Sequence, residues 1–91
     1  MLSKKISEEM IHELFDLFIS LSSREDCAVL FEDLCTNKEI EQMAQRLRAA
    51  KLLLNNKTYN EVIKETEISS ATLSRVSRCV QYGNGYTKFL K

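Results

Sequence analysis

Apolar and polar residues follow one another along this chain with the spacing of α-helices. Met10, Ile11, Leu14, Phe15, Leu17, Phe18 and Leu21 form a wide apolar stripe, the recurrence expected of one helical face. Ser7 is placed to cap that helix, and Glu8 and Glu9 suit the positive end of its dipole. Ser20, Ser22 and Ser23 mark its end. A second helix is expected after Ser23, with Glu25 and Asp26 in its first turn and Cys27, Leu30, Phe31, Leu34 and Cys35 on its apolar face. Thr36-Asn37-Lys38-Glu39 has the form of a capping box and opens a long third helix to about Leu54. Ile40, Met43, Ala44, Leu47, Ala50 and Leu54 share one face of it, with Arg46, Arg48 and Lys51 off that face. Asn55-Asn56 is the stop, because asparagine tolerates the left-handed conformation at a helix end. Thr58-Tyr59-Asn60-Glu61 is a second capping box, opening a short helix to about Glu65 with Tyr59, Val62, Ile63 and Thr66 at helical spacing. Glu67-Ile68-Ser69 makes a tight connection. Ser69 or Ser70 then caps a fifth helix that carries Leu73, Val76 and Val80 and is broken at Tyr82-Gly83-Asn84-Gly85-Tyr86. The segment from Thr87 to Lys91 is too short to assign.

Five helices and no strand pattern predict an all-α protein. Composition agrees: there is no proline, and the two glycines lie near the C-terminus, a scarcity of breakers that disfavours a sandwich-type fold. At 91 residues the chain is one domain's worth. It is expected to organise as residues 1–54, the N-terminal helices, residues 57–81, two short helices joined by a tight turn, and residues 82–91, a tail. A domain this short buries a modest fraction of its surface. The first two helices are too apolar to be covered easily by so small a chain and read better as a dimer interface, with an ordinary core as the alternative. No apolar run approaches a membrane span. The N-terminus turns acidic before a signal-peptide core forms, so a cytoplasmic protein is expected. The three cysteines, Cys27, Cys35 and Cys79, are widely spaced, and His12 is the only histidine. That inventory speaks against a metal site and for buried, reduced thiols. No Gly-rich phosphate loop or nucleophile constellation is present, so neither an enzyme nor a cofactor is expected.

Net charge is zero, yet the charge is divided. Residues 1–35 hold three basic and eight acidic groups, and residues 36–91 hold ten basic and five acidic, so the halves carry −5 and +5. Such asymmetry suits one half for assembly and the other for a polyanion, although an uneven, solvated monomer surface has the same arithmetic. The basic half contains a short helix, a tight turn and a helix rich in small polar residues, the helix-turn-helix arrangement. Val62, Ile68, Leu73 and Val76 fill the positions where its helices must face each other. Two positions depart: Ile63 stands where a small residue is usual, and Glu67 where glycine is usual. Glu67 is then held left-handed at some cost, or the turn has another geometry. The last helix reads Ser70-Ala71-Thr72-Leu73-Ser74-Arg75-Val76-Ser77-Arg78. Short side chains let a helix N-terminus approach base edges, and its free N–H groups suit a phosphate. Arg75 and Arg78 neutralise phosphates or form internal ion pairs. A capped, serine-rich surface helix fits the same letters.

Leu53-Leu54, the turn and above all Ala71-Thr72-Leu73-Ser74-Arg75 resemble the tryptophan repressor family. The run from Ser74 to Tyr86, with Gln81-Tyr82-Gly83-Asn84-Gly85-Tyr86, looks like its TrpR-like YerC/YecD branch. The resemblance spans roughly residues 8–86 and implies a Trp repressor-like helical bundle, an intertwined homodimer presenting one helix-turn-helix per subunit. Its partner would be double-stranded DNA, read as a palindromic operator with half-sites about one turn apart, on the order of 34 Å. Carried over residue by residue, it makes Ser70, Ala71 and Ser74 the major-groove face and puts Asn60 in the place of a base-contacting arginine. Lys64, Ser69, Thr72, Arg75 and Arg78 join them as DNA-binding candidates, and Thr58 as a further backbone contact.

The resemblance also implies a candidate effector pocket at Arg46, Arg75, Val76 and Cys79. In the tryptophan repressor two arginines sandwich the indole and a glycine leaves room for it. Arg46 and Arg75 match the arginines, but Val76 stands for the glycine and Cys79 for the serine that meets the ligand's amino group. A β-branched side chain there fills the indole cavity, so tryptophan is not the expected corepressor and any other effector is unknown. The function expected is that of a sequence-specific transcription factor, a repressor by the family's example. The alternative is an all-α protein-interaction module whose helix-turn-helix no longer binds DNA.

Overall fold

The computed structural model describes residues 7–91. The reading of the N-terminus as lacking a signal-peptide core falls largely on residues 1–6, outside the described residues. Six helices follow in order: α1 (Glu8–Ser20), α2 (Arg24–Leu34), α3 (Asn37–Leu54), α4 (Tyr59–Thr66), α5 (Ser70–Tyr82) and α6 (Gly85–Leu90). Among the described residues there is no strand, and no helix is long and apolar enough to cross a membrane. The chain divides into two compact units, Met1–Leu34 and Cys35–Lys91.

In the first unit the expected caps form. Ser7 accepts from the Met10 N–H at 3.2 Å, and the acidic first turn of α1 faces its own dipole. Ser23 accepts from the Asp26 N–H at 3.0 Å. The Asp26 carboxylate reaches back to the Ser22 N–H and hydroxyl, both at 3.1 Å. These bonds favour the charged form and hold the Asp26 carboxyl below the ordinary carboxylate range, the Ser22 N–H contributing most. Phe18 of α1 and Phe31 of α2 meet with ring centroids 5.7 Å apart. Neither helix has a buried residue; Phe15, Phe18, Val29 and Ile19, the last 79% exposed, stand open.

In the second unit the core consists of Ala49, Ala50, Val62, Ile68, Leu73 and Val76. Four of these six are the apolar positions expected to join the two short helices. The α3 face differs from the expectation. Ala50 of the expected apolar stripe is fully buried, but so is Ala49, which lies off that stripe, while Ala44 and Leu47 of the stripe are exposed. The methyl side chains let α4 and α5 pack closely on α3, and Leu47 is left facing outward. Thr36 and Glu39 form the reciprocal capping box, at 3.1 and 2.8 Å, which depresses the Glu39 carboxyl chiefly through the Thr36 N–H. The second box forms only by half. Thr58 accepts from the Glu61 N–H at 3.2 Å, but the Glu61 carboxylate takes the Thr58 hydroxyl and lies 4.0 Å from Lys57, without turning to the Thr58 N–H.

The C-terminal segment, too short to assign from its sequence, is the helix α6. The α5 helix ends at Gly83, whose N–H donates to the Cys79 carbonyl at 2.8 Å. A Cβ there would lie 2.7 Å from that oxygen, so the close approach requires glycine. The chain then reverses, and Tyr86 and Leu90 of α6 pack against the core. The cysteines are unbridged, but the expectation of burial fails: Cys27 and Cys35 are half-buried and Cys79 is exposed. Cys27 and Cys79 lie on helix faces, and Cys35 in the bend between α2 and α3, that no other element of the described residues covers fully.

Candidate nucleic-acid interface

Two helices and the connection Glu67-Ile68-Ser69 build the candidate surface. Glu67 adopts φ 59° and ψ 20°, the left-handed region, and its N–H donates to the Ile63 carbonyl at 2.8 Å. The position where glycine was expected therefore keeps glycine's geometry with a glutamate in it. Ile63, the other departure, is half-buried against the core, which accommodates the larger side chain. Ile68 drops into the core next to the turn, and Ser69 caps α5 by accepting from the Thr72 N–H at 3.2 Å.

Leu73, Val76 and Ser77 are the buried side of α5. The opposite side carries Ser70, Ala71, Ser74, Arg75 and Arg78, all exposed. Asn60 and Lys64 are exposed on α4. Among the described residues neither Arg75 nor Arg78 has a carboxylate within ion-pair distance, which leaves their charges available to an external anion. Ser69 and Thr72 are differently placed. Their hydroxyls bond to each other at 2.9 Å, and Thr72 is half-buried, so both are engaged in the cap. The Thr58 hydroxyl is likewise engaged at the start of α4.

Arg46, Arg75, Val76 and Cys79 line one concavity of about 420 Å³, together with Thr72 and Tyr86. Arg46 is half-buried, and Val76 forms a closed wall. The sequence pattern places Tyr86 only at the helix break. It reaches the concavity because the chain reverses at Gly83 and Asn84, and the closely spaced glycines before an aromatic residue were the one signal of that return. A second concavity of about 500 Å³, almost wholly apolar, is lined by Leu47, Cys79, Gly83, Gly85, Tyr86, Phe89 and Leu90. Tyr82 at the end of α5 is 80% exposed. Among the described residues no group of three His, Cys, Asp or Glu side chains is arranged to hold a metal ion.

Comparison with known proteins places this geometry in context. The family model described as Trp repressor protein matches residues 9–91. The uncharacterized protein YerC of Bacillus subtilis is 44% identical over 80 residues, covering 88% of this chain and 77% of that protein. A crystal structure of a proposed Trp repressor from Staphylococcus aureus superimposes with a TM-score of 0.90 at 42% identity, covering 99% of this chain and 91% of that one. A TrpR-like protein from Eubacterium eligens gives 0.87 at 37% identity, covering 94% and 90%.

Proposed function

Because the chain belongs to the Trp repressor protein family, a family of DNA-binding regulators, we propose that it is a homodimeric, sequence-specific repressor of transcription acting in the cytoplasm on a palindromic operator. The observation that carries the reading is the outer side of α5: small polar side chains at the helix N-terminus, two arginines without an ion-pair partner among the described residues, and a core that holds the helix from behind. In this reading Ser70, Ala71, Ser74 and Asn60 meet base edges in the major groove. Lys64, Arg75 and Arg78 meet phosphates, and Ser69 and Thr72 act chiefly by setting the helix N-terminus.

Three apolar surfaces support the homodimer. The α1 and α2 helices bury no residue within their own unit. The open stripe of α3 at Leu47 continues into the apolar concavity with Phe89 and Leu90. A second copy would cover such surfaces, and the opposite charges of the two halves of the sequence favour association between copies. Two-fold symmetry then sets the half-sites about one helical turn apart, ~34 Å.

The concavity at Arg46, Arg75, Val76 and Cys79 is the candidate effector pocket. Val76 stands where the resemblance puts the glycine that leaves room for the indole, so in this reading tryptophan leaves the DNA affinity unchanged. The experiment that tests the function is selection of bound duplexes from a randomised library at about 150 mM salt, where nonspecific attraction is weakened. An enriched palindrome supports the repressor. No enriched motif, with and without tryptophan, turns the reading to an interaction module whose helix-turn-helix no longer binds DNA, which the acidic Glu67 in the turn would favour.

A further inference from the structure

The turn between α4 and α5 is tied to α3 by one side chain. The Gln45 amide donates to the Thr66 carbonyl at 3.1 Å across a half-buried contact. Thr66 is the last residue of α4, so its carbonyl has no partner within the helix. Its hydroxyl donates to the Val62 carbonyl at 2.7 Å and accepts from the Ile68 N–H at 3.2 Å. Ile68 is buried, and Ser69 beside it starts α5. A continuous path therefore runs from α3 through Gln45, Thr66 and Ile68 to the cap of the helix proposed to read DNA. The other polar link from α3 to α4, Arg48–Glu65, spans 3.5 Å with both side chains more than half exposed, and solvent leaves such a pair little strength.

We infer that Gln45 is a positioning residue that fixes the α4–turn–α5 pair on α3 and thereby sets the angle at which each subunit presents α5. The need for such a residue follows from the turn itself. Glu67 holds a left-handed conformation that costs a non-glycine residue energy, and a turn under that strain has a relaxed alternative unless something outside it opposes the change. Gln45 opposes it from α3. In a two-fold dimer the angle of each α5 decides whether both meet their half-sites together, so Gln45 governs tolerance to half-site spacing. That consequence rests on the DNA-binding reading; the tether itself does not.

The test compares the full-length protein with Gln45→Met, which keeps the length and removes the donor, Gln45→Asn, whose donor is too short to reach, and Gln45→Lys, which restores a donor. Hydrogen exchange of the free protein comes first. In the Met and Asn variants the Glu67 and Ile68 amides exchange roughly tenfold faster, the scale of one lost hydrogen bond, and the Lys variant returns toward the wild type. The Asn55 and Lys88 amides, bonded at the far end of α3 and in the first turn of α6, stay unchanged. Equal exchange in all four proteins overturns the tether. Duplex binding comes second, with one selected half-site and with two half-sites at several spacings. Gln45→Met keeps the half-site affinity, loses about tenfold on the preferred two-site duplex and accepts a wider range of spacings. A parallel loss on both duplexes with a lower Tm reduces Gln45 to a structural residue and overturns the positioning role. If the wild type selects no sequence, the DNA-binding reading fails and the exchange data alone decide the tether.

Discussion

Glu67 shows how a single residue departs from a pattern without breaking it. The turn needs a left-handed residue, and the protein supplies φ 59° with a side chain that pays steric energy for it. Glu67→Gly therefore raises stability by about 1 kcal/mol, seen as a higher urea midpoint with an unchanged slope. Gly83 is the opposite case. The Cys79 carbonyl leaves 2.7 Å for a Cβ, so Gly83→Ala lowers stability by about 1–3 kcal/mol, whereas Gly85, with nothing within 4 Å of its Cβ position, accepts alanine in the same thermal melt. Arg78 is exposed and unpaired among the described residues. Arg78→Ala weakens binding to all duplexes alike and reduces the slope of log affinity against log salt by about 1; an unchanged slope removes Arg78 from the phosphate contacts.

At the scale of elements, the helix starts were legible from residues within one turn of each cap. Ser7, Thr36, Thr58 and Ser69 each accept from the backbone three residues on. The box at Thr58 formed only by half, the Glu61 carboxylate accepting from the Thr58 hydroxyl instead of the Thr58 N–H. Two starts carry a pH signature. The Asp26 and Glu39 carboxyls titrate below their ordinary values in the folded protein, so the unfolded chain binds protons first as the solution is acidified. Their contribution is complete above the ordinary carboxylate values, about pH 4, and disappears as pH falls through the lowered folded values. Replacing Asp26 by Asn and Glu39 by Gln together makes the acid limb of the urea-midpoint profile shallower. An identical limb shows that these bonds form equally in the unfolded chain.

For the whole molecule, the exposed apolar residues of α1 and α2 decide between a free surface and an assembly. A surface change away from contacts alters stability by about 0.5 kcal/mol or less. Ile19→Glu is such a change on an isolated chain, since Ile19 is 79% exposed. In the proposed dimer it buries a charge, and light scattering shows monomer at concentrations where the wild type is dimeric. A wild type that stays monomeric at every concentration removes the intertwined assembly and with it the palindrome.

By itself the sequence determined the helix boundaries to within a residue or two, the caps, and the four apolar residues that join α4 to α5. All of these depend on neighbours close along the chain, where helical geometry sets who meets whom. Tertiary structure alone decided that α3 buries Ala49 beside the expected Ala50 and leaves Ala44 and Leu47 open, because that choice depends on how closely α4 and α5 approach. It also decided that α6 returns to bring Tyr86 beside Arg75, and that Gln45 finds the Thr66 carbonyl. Those contacts join residues far apart in the chain, and no local periodicity records which distant partner arrives.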